Sequence, residues 1–576
     1  MADRPRTSGP EVDDTDSRLE ALMPDWTYHP LRRLAGVLLG VRRSQRAALR
    51  TLAVLSALPG GHRAIRGAFG HTEPPEVLAG TVAGVHVRTR VGATVSPVIA
   101  HDAVRALATQ GAGLVVVAPV RRHETGLVRR AAGGRRCPVL ARTDDPVVAA
   151  ELVPHVDAVL RDDADLIRLD RPEISAALAA LRDESKAVLA TPAVLIEAGP
   201  GWFQRVAEAA TPEFPARAET GRDLRRRPAW WWGMWMGVGM VCAGLGAAAI
   251  TLGPVLLWYD QDFLGMDVDG LRAAGHDLVG FLRHDRLTMA GTMVALGVLY
   301  AGLSVGGIRA GRPWARHACL ASGLIGFLSV FYFLASGFVE PLHVAVTVVL
   351  FPMFVLATRR APARHRWTSA PEGPESQRRR ALLGQLLMIV TGTGLFAGGV
   401  AISVVGLTYV FVPSDLAFLR TTLTGLHAVN PRLPAFVAHD RAGFGGALAA
   451  TGTAVTLLTA WGWRRGHAWV WWSLTTAALA GYVPPVLVHW HIGYTDFWHL
   501  APVYAGILLT AVALVLARPY LCAGGSRGRL SPRDPVSLRG GPGGTSGRSR
   551  WPMPRRRSGP PAGDGSRPRR WRPRWR

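Results

Sequence analysis

The sequence predicts an α-helical polytopic membrane protein with an amino-terminal cytoplasmic α/β domain, and three observations carry that prediction. Residues 229–517 contain repeated apolar runs of about 20 residues, the length that crosses a bilayer as a helix. Most of the Asp, Glu and Arg lie in residues 1–228 and 523–576, so the overall 49% hydrophobic and 19% charged content averages two unlike parts. Between residues 80 and 222, short β-branched runs alternate with helical stretches, the cadence of parallel strands buried on both faces. The apolar runs exclude a purely soluble enzyme.

Residues 1–25 are polar, rich in Pro and Asp, and lack a basic stretch followed by an apolar core. They are expected to be disordered, uncleaved and cytoplasmic. From Tyr28 to Leu58 two short amphipathic helices are expected, with Arg32, Arg33, Arg42 and Arg43 between apolar stripes. Such a pair suits a membrane surface or a cap on the following domain, because amphipathicity serves both. About five βα units then follow, where a closed eight-unit barrel takes about 250 residues. The domain at 26–222 is therefore expected to be an incomplete TIM-barrel-like or open parallel sheet.

Eight spans are expected, near 230–258, 286–307, 317–337, 340–358, 382–411, 442–462, 468–488 and 498–517. Arg225, Arg226 and Arg227 followed by Trp230, Trp231, Trp232 and Trp235 mark an inner interface by a basic flank and an aromatic belt. Loops expected inside carry clustered arginines, including the 359–381 linker, whereas alternate loops carry Asp260, Asp262, Asp267, Asp269, Asp415 and Asp496. The positive-inside rule then gives a multi-pass protein of the cell membrane with both termini cytoplasmic.

The two halves of this region, 229–358 and 382–517, read as parallel four-helix repeats. At a constant offset of 155, Asp260 matches Asp415, Phe281 matches Phe436, His284-Asp285-Arg286 matches His439-Asp440-Arg441, and Trp314 matches Trp469. With one residue inserted, Gly337, Glu340 and His343 match Gly493, Asp496 and His499. Four spans per copy leave both copies in the same orientation, related by a pseudo-two-fold along the membrane normal. The tail from 523 to 576 has 15 arginines against Asp534 and Asp564 and cannot bury a core. Anionic lipid headgroups are its expected partner, with no specific nucleic acid.

The stretch VGATVSPVIAHDAVRALATQGAGLVVVAPV from Val91 resembles the first strand, helix and second strand of dihydroorotate dehydrogenases, and the preceding residues from 26 resemble the membrane-associated class. The resemblance covers about a sixth of the chain. It implies a flavin-binding barrel in which glycines and a lysine contact the cofactor. Gly92, Gly111 and Gly113 remain as a flavin remnant, but the lysine position is Ile99 and one glycine position is Ser96. The family surrounds flavin and orotate with asparagines, whose amides donate and accept at once. The only asparagine here, Asn430, lies in the membrane half. These departures argue against FMN and against dihydroorotate oxidation. Gly199-Pro200-Gly201 reads as a tight turn before it reads as a phosphate cradle.

Chemistry concentrates instead at the outer ends of the helices. His284, Glu340, His343, His439, Asp496 and His499 form the candidate metal set, with His489 and His491 nearby. An acid and a histidine at i and i+3 share one helix face, and Glu-x-x-His elements inside a bundle suit a divalent metal. Imidazole also ligates haem iron, so metal or haem stays open. One paired site across the pseudo-two-fold is expected, with Asp285 and Asp440 orienting the imidazoles. The competing reading has the same residues capping helices and pairing at the interface. Four widely spaced cysteines, Cys137, Cys242, Cys319 and Cys522, offer neither a disulfide framework nor a thiolate zinc site. Together these readings describe a membrane protein whose cytoplasmic domain is non-catalytic, serving in sensing, scaffolding or small-ligand handling. The alternative is a flavin- or quinone-linked membrane oxidoreductase.

Overall fold

The computed structural model describes residues 28, 32, 35–63, 65, 74–210, 227–334, 338–359 and 373–523. The expected disordered ends at 1–25 and 524–576, Gly337 and most of the 359–381 linker lie outside these residues, and so does the lipid-binding expectation for the tail.

The α/β domain begins with α1 (Val41–Ala57), then an antiparallel hairpin, β1 (Gly80–Val82) and β2 (Val85–Val87). Six parallel strands follow: β3 (Val91–Val95), β4 (Val115–Val117), β5 (Val139–Arg142), β6 (Ala158–Leu160), β7 (Leu166–Leu169) and β8 (Ala187–Ala190). They pair in the order β6-β5-β4-β3-β8-β7, with Ala93 opposite Val115, Val115 opposite Val139 and Val91 opposite Val188. This is an open parallel half-barrel, as the short βα count predicts. Its curl follows from chain length. Only five residues join β6 to β7 at opposite edges, a reach of about 20 Å, whereas five flat inter-strand spacings would separate them by about 24 Å. Asp163 in that link meets both Arg142 of β5, next to the β6 edge, at 3.3 Å and Arg168 of the β7 edge at 2.9 Å.

The helices α2 (Ala100–Thr109), α3 (Thr125–Ala132), α4 (Pro146–Leu152), α5 (Ile174–Ala180), α6 (Pro192–Ala198) and α7 (Trp202–Ala210) accompany the strands. Helix α4 starts where Asp145 accepts from Val147 N at 2.9 Å and Pro146 supplies the first turn, an N-cap followed by a preset φ. One face of the sheet, with Val91, Ala93, Val115, Val117 and Val139, packs beneath the helices. The concave face is filled by Leu114, Val116, Leu140, Leu160, Leu166 and Leu189 against Val82 and Val87 of the hairpin. Helix α1 packs on α2, and Arg136 Nη2 donates to Ser56 O at 2.8 Å, so it does cap the domain. Its free side nevertheless leaves Val41, Val54, Leu55 and the preceding Val37 and Leu38 exposed.

The second region contains eight long helices among the described residues: α8 (Ala229–Leu252), α11 (Leu278–Gly302, ending in a π-helical turn at Leu303–Ile308), α12 (Pro313–Leu334), α13 (Pro341–Thr358), α14 (Glu375–Leu407), α17 (Leu433–Gly462), α18 (Ala468–Ile492) and α19 (Phe497–Leu521). Six of them, all but α12 and α18, are long and apolar enough to cross a membrane. Two pairs of seven-residue helices, α9 (Trp258–Leu264) with α10 (Val268–Ala274) and α15 (Pro413–Leu419) with α16 (Leu423–Val429), occupy what the sequence reads as acidic loops.

Packing in this region is reciprocal. Helix α8 lies on α11 and α13 as α14 lies on α17 and α19, while α11 packs on α18 as α12 packs on α17. Small residues permit the close approaches. A Cβ on Gly237 would stand 2.6 Å from Gly297 O, and one on Gly399 would stand 2.5 Å from Gly445 O. Residues separated by 155 meet directly at one end: Trp314 stacks on Trp469 with centroids 6.3 Å apart, and Arg312 Nη2 lies 2.9 Å from His467 Nε2. The α/β domain is fastened to these helices by ion pairs and a hydrogen bond. Arg464 pairs with Glu208, Arg379 lies 3.4 Å from Glu197, and Arg378 donates to Ala198 O at the end of α6.

Candidate metal centres

The His-Asp-Arg motifs sit near the starts of α11 and α17, where the neighbouring short helices cover them. His284, Asp285, Arg286, His439, Asp440 and Arg441 are all buried. The arginines cross over. Arg286 Nε donates to Asp440 at 2.8 Å, and Arg441 Nε donates to Asp285 at 3.2 Å. Each arginine also reaches an acid of its own half, Arg286 to Asp260 at 3.2 Å and Arg441 to Asp415 at 2.7 Å. Each rests over a ring of the other motif's helix, Arg286 4.8 Å from Phe436 and Arg441 5.2 Å from Phe281.

The backbone is bent to serve these guanidiniums. Val255 and Val410 adopt φ of 65° and 63°, a left-handed conformation that β-branched residues rarely hold. Their carbonyls accept from Arg286 and Arg441 Nη1 at 2.7 and 2.5 Å. Strain at two corresponding positions is held in place by the ion pairs that it satisfies. Asp260 and Asp415, which the sequence places in the acidic loops between spans, are 1% and 0% exposed. Their burial has a plain cause: each carboxylate accepts from the backbone of its own short helix, at Leu257 N and Val412 N, and faces an arginine. Burial and the neighbouring carboxylates push Asp260 above the usual carboxylate range even though Arg286 opposes the shift.

The candidate ligands fall into two groups instead of the single paired site expected. His284, His489 and His499 form one, and Glu340, His343 and His439 the other, with the ligand atoms of each group within 4.8 Å of one another. Each group takes its His-Asp-Arg histidine from one half and its i, i+3 histidine from the other. In the first, the His284 and His489 rings are 4.2 Å apart and His489 and His499 are 5.3 Å apart. In the second, His343 contacts Glu340, His343 and His439 are 5.3 Å apart, and Tyr259 donates to Glu340 at 3.1 Å.

Asp285 and Asp440 stand where the sequence puts them, beside the imidazoles. His284 Nδ1 is 3.2 Å from Asp285 Oδ1, without the alignment of a hydrogen bond, and His439 Nδ1 is 3.3 Å from Asp440 Oδ1. Asp496 joins neither group. It is exposed and accepts from His499 N at 2.7 Å, capping α19, because a side chain one methylene shorter than Glu340 turns back onto its own helix. His489 takes the third position. Its Nδ1–H donates to Pro485 O at 2.6 Å, which fixes the tautomer, and its buried Nε2 has no hydrogen-bond partner among the described residues. Tyr494, which the sequence does not single out, donates to Asp415 at 2.9 Å and lies 3.3 Å from His499 Nδ1.

The three glycines of the flavin remnant lie elsewhere. Gly92 is in the first half of β3, and Gly111 and Gly113 precede β4, at the end of the sheet opposite to the one where barrels hold ligands. Packing accounts for all three. A Cβ on Gly92 would stand 2.4 Å from Leu114 O, one on Gly113 would stand 2.0 Å from Thr89 O, and Gly111 has φ of 100°. Ser96 and Ile99, the two departures from the family pattern, occupy the ligand-bearing end after β3.

Fold and site together define a mostly helical protein, compatible with a membrane protein through its six apolar helices, that carries an open parallel half-barrel. Compared with known proteins, the chain matches no protein-family model, no curated protein and no solved structure.

Proposed function

We propose that this chain is an eight-span protein of the cell membrane, built from two parallel four-helix copies, that binds divalent metal ions in two buried centres shared between the copies. The observation that carries the proposal is His489. A buried imidazole nitrogen with no partner among the described residues, its tautomer set by a bond behind it and two further imidazoles beside it, is how a protein presents a metal ligand. Charge points the same way. Asp260, Asp285, Asp415 and Asp440 are four buried carboxylates against the two arginines Arg286 and Arg441, a formal surplus of two negative charges before Glu340 is counted. Buried surplus charge is costly unless cations or protons balance it.

Three imidazoles and a two-His-one-carboxylate set both leave a fourth position open on a zinc-like ion with bonds of about 2.0–2.1 Å. A small rotation of the rings closes the present spacing onto such an ion. Haem suits the first centre less, because rings 4.2 Å apart leave no room for a macrocycle between them. The duplication is supported by the 155-residue correspondence of strained valines, crossed arginines and stacked tryptophans. In this reading α12 and α18 supply the seventh and eighth spans, and both termini are cytoplasmic.

The α/β domain serves as a non-catalytic module resembling a dihydroorotate dehydrogenase. It is held by Arg378 and Arg464, and the exposed apolar side of α1 rests on the bilayer. Its concave face is filled with leucines and its retained glycines are occupied in packing.

Metal analysis of the full-length protein in detergent tests the central claim. About two equivalents of a first-row metal are expected, with His489→Ala losing one and His343→Ala the other. Metal-free wild-type protein after growth and purification in zinc would overturn it. For topology, Ala370→Cys is expected to resist labelling from outside and His427→Cys to accept it; the reverse pattern would invert the orientation. Stoichiometric flavin with turnover on dihydroorotate would overturn the non-catalytic reading.

A further inference from the structure

We propose that Asp260 is a proton-binding carboxyl, holding a proton that its counterpart Asp415 does not, and that Phe338 is the residue that makes the difference. The inference stands apart from the metal reading, because it needs no ion in either centre. Both carboxylates sit in the same surroundings at one oxygen. Oδ2 of each accepts from the backbone N–H at the start of its own short helix and from the arginine of its own half. At Oδ1 they part. In the second half Tyr494 donates to Asp415 Oδ1 at 2.9 Å. With the one inserted residue, Tyr494 corresponds to Phe338. The rings keep that correspondence in space: Tyr494 stacks on Phe418 with centroids 4.7 Å apart, and Phe338 lies 4.4 Å from Phe263, the match of Phe418. Phe338 has no hydroxyl to give. Asp260 Oδ1, in a side chain 1% exposed, has no hydrogen-bond partner among the described residues, and the hydroxyl of Tyr259 on the same helix goes to Glu340 instead.

A buried carboxylate oxygen without a donor keeps its charge at high cost, whereas the protonated acid leaves only a neutral hydroxyl there. The arginines show the same difference. Arg286 lies nearer to the acid of the other half, 2.8 Å from Asp440 against 3.2 Å from Asp260. Arg441 lies nearer to the acid of its own, 2.7 Å from Asp415 against 3.2 Å from Asp285. A guanidinium leans toward the more negative partner. One bound proton also removes one of the two surplus negative charges of the four aspartates. The groups facing Asp260 are Arg286 of α11, Asp440 of α17, Glu340 at the start of α13 and Tyr259 of α9. Burial pushes Asp260 above the usual carboxylate range, with Asp440 and Glu340 adding to it and Arg286 opposing. Loss of the proton gives Arg286 a second full anion and slackens its hold on Asp440, so pH sets how firmly α11 is tied to α17. Because the folded state holds this proton longer than the unfolded chain, the contribution to stability is lost as pH rises through the titration of Asp260.

Infrared spectroscopy of the full-length protein in detergent tests this, titrated upward from about pH 6, where an ordinary aspartate with a pKa near 3.9 is ionised. The carbonyl stretch of one protonated carboxyl should be present at the acid end and fade as pH rises. Asp260→Asn, an isostere of the protonated acid, should remove the band and leave the thermal midpoint at the acid end nearly unchanged. Asp415→Asn should keep the band and lower the midpoint. Phe338→Tyr, which supplies the missing hydroxyl, should move the titration to lower pH. Tyr494→Phe, which takes the hydroxyl from Asp415, should add a second carbonyl band, and it carries the test alone if Phe338→Tyr does not fold. No such band in the wild type, or a band that survives in Asp260→Asn or vanishes from folded Asp415→Asn, overturns the inference. A single band that titrates unchanged in Tyr494→Phe, and in Phe338→Tyr if that variant folds, overturns the role given to Phe338.

Discussion

The half-barrel and the helical bundle bury their polar groups in opposite ways. The sheet is sealed on both faces by Val, Leu and Ala, and its charged pairs, such as Arg129 with Glu151 at 2.7 Å, sit in solvent. The bundle places four aspartates, two arginines and three histidines in its interior around two centres. Apolar burial asks only for shape, whereas buried ions ask for a partner at every atom. The difference teaches where ionisable groups gather: the sheet spends its interior on apolar packing, and the bundle collects buried carboxylates, guanidiniums and imidazoles.

The sharpest way to break that comparison is to remove one ion from the bundle. Asp440→Ala leaves Arg286 short of a carboxylate and takes away the acid beside His439, and should cost about 3–5 kcal/mol. Unfolding of the detergent-solubilised protein measures it, and a loss below about 1 kcal/mol would mean that the crossed pairs are ornamental. The double variant Arg286→Met/Asp440→Leu should recover most of the stability while lowering metal affinity, because hydrophobic replacement of a buried pair is often neutral.

In the sheet the equivalent blow is steric. Gly113→Ala should cost about 1–3 kcal/mol by forcing β4 away from Thr89. It should leave metal content unchanged, and a loss of metal would tie the two regions together more closely than their contacts do.

A third test uses pH. Burial, aided by the charge of Asp157, pushes the Cys137 thiol up to about 12. An unfolded cysteine ionises near 8.5. The folded state therefore holds its proton longer, and stability should fall as pH rises from about 8.5 toward 12. Alkylation of folded protein at pH 8 should be slow at the half-buried Cys137 because little of it is thiolate, and modification as fast as that of an unfolded cysteine would contradict the raised pKa. The smallest effect is expected for Arg129→Ala, within about 0.5 kcal/mol, because the pair with Glu151 is exposed.

Much of this was legible in the sequence, and what was missed has physical reasons. The βα cadence was enough for an open parallel sheet, since strands buried on both faces need runs such as VVV and AVLA. The His-Asp-Arg motifs and their 155-residue spacing pointed to the helix ends that hold the centres. Which half supplies which group of candidate ligands was not legible, because a spacing says nothing about whether α11 packs on its own half or on α18. Asp496 matches Glu340 in type and place, and the sequence cannot show that a side chain one methylene shorter caps its own helix instead. His489 stood out only once its neighbours were known. Asp260 and Asp415 carried a signal, their match across the offset, that was read as loop charge.

With metal bound as proposed, the crossed arrangement would make an ion in either centre a rivet. His284 comes from one half and His489 and His499 from the other, while His439 faces Glu340 and His343 in the reverse sense. In that state the halves could not part or slide without stretching metal bonds, so occupancy and cohesion should rise together. A ligand that binds only the assembled state adds about 2.7 kcal/mol at a hundred times its dissociation constant. Chelation should therefore loosen the whole bundle and not merely empty two cavities, with the thermal midpoint falling in step with metal content.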